Sequence, residues 1–207
     1  MLDALHQHGL EAADGSECRS RLDALADAAI RIYAPLPGRS LSVLLRRLRF
    51  ATPQWQGELT AAIRRATERL SHARVEGMDW YWPADEKASG RASQEAVRFL
   101  SPFDPVVWDR MRFELLWGWV YRFEGYTPPS KRRLGYYALP LLWRERVVGW
   151  ANMSMKDDRL VADLGYFRSR PRGRTYSREL EAEKDRIRAF LRLPARAFGP
   201  AKPAPVP

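Results

Sequence analysis

The chain has 207 residues, 45% hydrophobic and 12% aromatic, which supports a packed core and excludes a disordered polyelectrolyte. The formal charge is +10, and only five of the 35 basic residues are lysines. That balance favours a polyanionic partner, and arginine offers a planar fork suited to phosphate and guanine edges. The single cysteine, Cys18, excludes an internal disulfide and a Cys-rich zinc site, and His6, His8 and His72 have no metal-ligand spacing, so no metal site is expected.

No apolar run approaches about 18 residues, the length that marks a membrane-spanning candidate. The start, MLDALHQHGLEAADG, has neither the basic lead nor the apolar centre of a signal peptide, so a cytoplasmic chain without membrane contact is expected. Charge is uneven along the first third. Residues 1–34 carry six acids against three arginines, whereas residues 39–74 carry eight arginines against two glutamates.

Three helices are predicted before residue 71. In the first, Leu22, Leu25, Ala26, Ala29 and Tyr33 recur at helical spacing, and the Pro35–Gly38 turn ends it. In the second, Ser40 is the expected N-cap and Leu41, Leu44, Leu45 and Leu48 form the apolar stripe. In the third, Thr52 is the expected cap, Pro53 fits the first position, and Trp55, Leu59, Ile63, Ala66 and Leu70 share a face. A hairpin follows, with strands His72–Glu76 and Asp79–Trp82 around Gly77-Met78. Three helices and a hairpin make the winged-helix plan, expected over residues 16–83. The last helix of such a module commonly meets the major groove near its N-terminus. Gln54, Gln56, Thr60 and Arg64 are therefore candidate DNA contacts. Equally, such helices can pack on protein.

Residues 83–96 read as a linker, and a second domain is expected over 97–193. Residues 101–140 crowd aromatics between prolines, which propensity reads as strand and turn. Strands are predicted at Trp119–Tyr126, Gly135–Trp143, Arg146–Met155 and Arg159–Phe167, with Asp157-Asp158 turning between the last two. Consecutive antiparallel strands with Pro and Gly corners suggest a small β-barrel, giving an α+β fold overall. Arg168, Arg170, Arg172 and Arg174 alternate along the next loop. A helix is predicted from about Ser177 with Leu180, Ile187, Phe190 and Leu191 inward, and residues 194–207 read as a disordered Pro-rich tail.

Two cationic clusters stand out in this half. Lys131-Arg132-Arg133 follows the turn Tyr126-Thr-Pro-Pro, and with Arg170 and Arg172 it is a candidate phosphate-contacting surface; Tyr126 belongs to the same candidate site. The alternative for the triplet is an ordinary solvated turn. Trp117, Trp119, Tyr136 and Tyr137 could stack on bases, although core packing is the commoner fate of such residues.

The segments Ser101–Arg110 (SPFDPVVWDR), Gly118–Tyr121 and Tyr126–Pro140 (YTPPSKRRLGYYALP) resemble the YcaQ/AlkZ-like DNA glycosylases, a bacterial family of winged-helix DNA-repair proteins. The resemblance is to the C-terminal portion of that family. It implies winged-helix modules followed by a compact barrel, DNA as partner, and no metal or redox cofactor. It also implies hydrolysis of the N-glycosidic bond of alkylated or crosslinked nucleotides by an early Gln-φ-Gln or Gln-φ-Asp element (φ apolar). The expectation is that this chain begins downstream of that element and binds DNA without it. Alternatives are an active glycosylase with a different site, or a module completing a separate protein that supplies the N-terminal region. Gln54-Trp55-Gln56 matches Gln-φ-Gln by letter, but on a helix two positions apart diverge by about 200°, so Trp55 reads as a core anchor. Asp104, Asp109 and Glu124 are the carboxylates able in principle to activate water. For Asp104 and Asp109 the favoured reading is capping and pairing around Arg110 and Arg112. No catalytic residue is assigned. Asn152 and Ser154 depart from the Asp and Lys that the family often carries there.

Overall fold

A computed structural model describes residues 15–87, 94–156 and 159–193. The chain divides into two compact units, Met1–Ser89 and Gly90–Pro207. Both are mixed helix and antiparallel sheet. The expected Asp157-Asp158 turn, the tail from 194, and part of the expected linker lie outside the described residues.

The first unit runs α1 (Gly15–Tyr33), β1 (Leu36–Pro37), α2 (Gly38–Arg46), α3 (Leu48–Ala51), a 3-10 segment (Pro53–Glu58), α4 (Leu59–Glu68), β2 (Leu70–Val75) and β3 (Met78–Pro83). Its sheet has the order β1-β3-β2, with β3 paired antiparallel to both neighbours. Helix α1 buries Cys18, Leu22, Ala26 and Ile30, a strict four-residue stripe. Leu25 is 40% exposed, so the inward face is rotated from the predicted one. Ala62 and Ala66 of α4 are fully buried, and Trp55 packs on Cys18, Leu22 and Ala62. These small residues let α1 and α4 approach closely.

Ser40 is not a cap, and Thr52 holds the N-cap position of the next segment without a side-chain capping bond. Ser40 lies inside α2, whose N-cap is Pro37, and Thr52 turns its hydroxyl back to the Leu48 carbonyl at 2.9 Å. The third helix therefore starts at Leu59, after a 3-10 segment in which Trp55 leaves helical geometry (φ −115°, ψ 21°). Pro53 does occupy the first position of that segment. The hairpin turns on Glu76 (φ 50°) and Gly77 (φ 78°), the paired left-handed conformation of a tight β-hairpin.

The second unit runs β4 (Val97–Phe99), α5 (Pro105–Trp108), α6 (Arg110–Trp117), a 3-10 turn (Pro129–Lys131), β5 (Leu139–Trp143), β6 (Arg146–Lys156), β7 (Arg159–Tyr166) and α7 (Arg174–Phe190). The sheet is open, four-stranded and antiparallel in the order β4-β5-β6-β7, not the predicted barrel. The reason lies in residues 119–126, which are irregular rather than a strand. Trp119 and Tyr121 pack their rings on Phe113 of α6, and Tyr121 donates its hydroxyl to the Ala138 carbonyl at 2.8 Å. That anchors the segment by side chains.

Residues 105–117 are helical where strand and turn were predicted. Asp104 accepts from the Val106 amide at 2.8 Å to start α5, and Asp109 accepts from the Arg112 amide at 3.2 Å to start α6. Gly118 ends α6 at φ 66°, a left-handed stop. Helix α7 starts three residues earlier than predicted. Tyr176, Leu180 and Glu183 are its buried face, whereas Phe190 is 85% exposed and Leu191 is also exposed, against expectation.

Candidate nucleic-acid interface

A groove of about 1150 Å³ opens in the second unit. Its aromatic floor includes Trp119, Tyr121, Trp150 and Tyr166, and its charged lining is Arg110, Arg122, Lys131, Arg133 and Glu124. Among the described residues none of the four cations forms an ion pair. Arg122, Lys131 and Arg133 are exposed, and their charge is left for an external anion.

Glu124 is already occupied. Its carboxylate accepts from the backbone amides of Arg133 at 2.9 Å, Leu134 at 2.8 Å and Gly135 at 3.3 Å. Three successive N–H groups around one carboxylate form a nest turned inward. The clasp folds the basic turn and spends the only acidic charge in the lining. Asn152 holds the far end of the turn by donating its side-chain amide to the Leu134 carbonyl at 2.6 Å. A deprotonated Asp here would have no hydrogen for that bond. Gly135, at φ 121°, brings the backbone so close that a Cβ would sit 2.4 Å from Asn152 Oδ1.

The basic triplet is divided by this geometry. Arg132 donates through Nε to the Thr127 carbonyl at 2.8 Å and lies 4.9 Å over the Tyr136 ring, so it braces the turn. Lys131 and Arg133 flank it, exposed, on the groove. Arg110 sits 4.5 Å over the Tyr121 ring and donates to the carbonyls of Val107 at 2.6 Å and Pro102 at 3.1 Å. Burial pushes the Arg110 guanidinium below its ordinary pKa, and it pushes the Tyr121 hydroxyl up to about 12. Both keep their usual forms at neutral pH, a fixed cation above a neutral phenol.

The other predicted site residues lie elsewhere. Gln54, Gln56, Thr60 and Arg64 are all exposed on the first unit, the two glutamines in the 3-10 segment and the others on α4. Arg64 makes only a loose, solvent-exposed contact with Glu68 at 3.8 Å. Arg170 and Arg172 are exposed but outside the groove lining, and Arg170 leans toward Tyr176 and Ser177. Trp117 donates to the Glu145 carbonyl at 2.9 Å and Trp119 packs on Phe167, which makes both structural. Sequence reasoning missed Arg110 and Arg122 as groove cations. The available signal for Arg122 was a lone arginine between Tyr121 and Phe123.

A family model described as DNA glycosylase AlkZ-like matches residues 7–190. The chain belongs to the AlkZ-like DNA glycosylase family. The match takes in the helical first unit as well as the aromatic block, so the expected restriction to the family's C-terminal portion is not borne out. This family member is also similar to the solved structure of Streptomyces sahachiroi DNA glycosylase AlkZ, with a TM-score of 0.53 and 15% identity. The likeness, which is one of fold, covers 96% of this chain and 49% of that one, so the chain spans about half its length. Among the described residues no helix is long and apolar enough to cross a membrane, and no group of three or more His, Cys, Asp or Glu could hold a metal.

Proposed function

We propose that this chain binds DNA in a DNA-repair role, holding the phosphate backbone along the groove of the second unit. The observation that carries the reading is a lining of four cations without carboxylate partners, whose one acid is consumed by backbone amides. Such a surface recognises phosphate by charge and leaves base sequence unread. Family membership supports DNA over other polyanions.

The first unit supports a second site of DNA binding. We read it as a winged helix, because helix, short strand, helices and hairpin follow one another and the strands order as β1-β3-β2. Gln54, Gln56, Thr60 and Arg64 then lie on the exposed side of its last helical stretch.

Electrophoretic retention of short duplexes over a salt series tests the proposal. The expected result is a steep log–log dependence whose slope shrinks by about 0.9 for each phosphate-neutralising cation removed, and by about twice that for Lys131→Ala with Arg133→Ala. A flat salt response in the intact protein counts against it.

The family name favours a second reading, excision of an alkylated or crosslinked base. Asp104 and Asp109 cap helices and Glu124 clasps a turn, so each of the three predicted carboxylates has a structural role. Incubation with N7-alkylated or crosslinked duplex, scored for abasic sites, separates the readings: binding without abasic sites supports the first alone.

A further inference from the structure

Beside the groove lies a patch of large aromatics that no core requires. Phe123, which also lines the groove, is its centre. Its ring centroid is 5.8 Å from that of Phe103, 5.9 Å from Tyr126 and 5.2 Å from Tyr137. Phe103 is 65% exposed, Tyr126 94% and Tyr137 37%. Phe103 and Tyr126, the most exposed of these rings, gain little from folding, yet they gather at one edge of a strongly cationic surface of the second unit.

Chemistry narrows the occupant. A protein partner with an apolar face would meet the uncompensated charge of Lys131 and Arg133 a few residues along the same turn. A nucleic-acid strand offers both complements at once, flat π-faces and phosphates, repeating at nucleotide spacing. Tyr126 and the two cations belong to one segment, braced at Thr127 by Arg132 and at residues 133–135 by Glu124. Their spacing is therefore set before any ligand arrives. In a paired, stacked duplex the base faces are covered, so the rings can reach them only where bases are unpaired.

We propose that Phe103, Tyr126 and Tyr137 form a stacking platform for unpaired DNA bases, so that the protein prefers gapped or single-stranded segments to intact duplex. The proposal rests on the phosphate-groove reading and adds to it the state of the DNA.

The test uses the full chain and two unmodified DNA probes of equal length, a continuous duplex and a duplex with a central single-stranded gap carrying 2-aminopurine. The intact protein should bind the gapped probe at least about five-fold more tightly, the lower range for stacking one base on an aromatic, and should change the 2-aminopurine fluorescence. Phe103→Ala with Tyr126→Ala should erase the preference and the fluorescence change. Tyr126→Trp should restore them in the Phe103→Ala background. Both rings are exposed, and an unchanged melting temperature verifies that the variants fold. Equal affinity for the two probes, with salt dependence retained, overturns the platform and leaves the groove standing. A preference that survives both substitutions also overturns it, as it would if the patch covers a protein. Failure to bind either probe removes the groove reading and the platform with it.

Discussion

Glu124 shows how one side chain can set the sign of an interface. By Coulomb's law alone, removing a carboxylate from a cationic groove raises affinity for DNA. Its three accepted amide bonds argue the reverse, because without them the turn carrying Lys131 and Arg133 loses its inner anchor. Bonds to a charged acceptor are worth about 1.5–3 kcal/mol each at most. Glu124→Ala is therefore expected to lower both melting temperature and DNA affinity, measured by calorimetry and by retention at fixed salt. Higher affinity in the variant would show that charge, not positioning, dominates. Tyr121 gives a cleaner stability reading. Its hydroxyl is buried on the Ala138 carbonyl, and Tyr121→Phe leaves that acceptor unpaired at a cost of about 1–3 kcal/mol. Because burial raises its pKa to about 12, the folded state binds a proton that the unfolded state releases from about pH 10. The Tyr121 contribution is complete below pH 10 and is lost as pH rises toward 12. Urea melts of wild type and Tyr121→Phe between pH 8 and 11 should show a smaller loss in the variant, where Tyr176, also pushed up by burial, still titrates.

At the scale of elements, a buried acid helps tie helix α7 to the sheet edge, beside the apolar contacts of Tyr176 and Leu180 with Val97 and Leu141. Glu183, 6% exposed, accepts from the Phe99 amide at 3.0 Å and from Arg186 Nε at 2.7 Å. Glu183→Ala strands the β4 amide, and we expect a loss of about 2–3 kcal/mol in denaturant midpoint experiments. Gly149 and Gly165 explain how β6 and β7 pack. A Cβ on Gly149 would fall 2.0 Å from the Gly165 carbonyl, and one on Gly165 would strike the Trp150 ring at 2.3 Å. Much of this architecture was legible in the sequence. Strands β6 and β7 and the hairpin of the first unit stand within a residue or two of prediction, because alternation and turn residues are local signals. The helices over 105–117 were not. Their Val, Trp and Phe favour strand, and it is the Asp104 and Asp109 caps that decide for helix. The barrel failed because residues 119–126 bind through side chains, which strand propensity does not register. Lys131 and Arg133 were readable as a cationic pair, but the bracing role of Arg132 and the clasp by Glu124 depend on bonds across the turn that no spacing rule encodes.

At the scale of the whole molecule, a charge of +10 overstates what the first unit offers to DNA. The acids of α1 are matched to the arginines of α4 and its C-terminal end: Arg65 holds Asp23 through two nitrogens at 3.0 Å, and Arg69 reaches Asp27 at 2.7 Å. Arg19 lies 3.6 Å from Glu58. The opposed charges of residues 1–34 and 39–74 are thus partly a device for docking two helices. Arg64 stands apart from this set, paired only loosely with Glu68 of its own helix. The two kinds of arginine should separate experimentally. Arg65→Ala leaves Asp23 without its fork and should lower the melting temperature, with no change in the salt slope of DNA binding. Arg64→Ala should leave the melting temperature within error and reduce the slope by about 0.9. If both units bind DNA, the reduction from Arg64→Ala adds to that from Lys131→Ala with Arg133→Ala, since each lost phosphate contact lowers the slope by the same increment. A slope that ignores Arg64 while responding to the groove pair assigns the whole phosphate footprint to the second unit, and DNA binding by the first unit is then discarded.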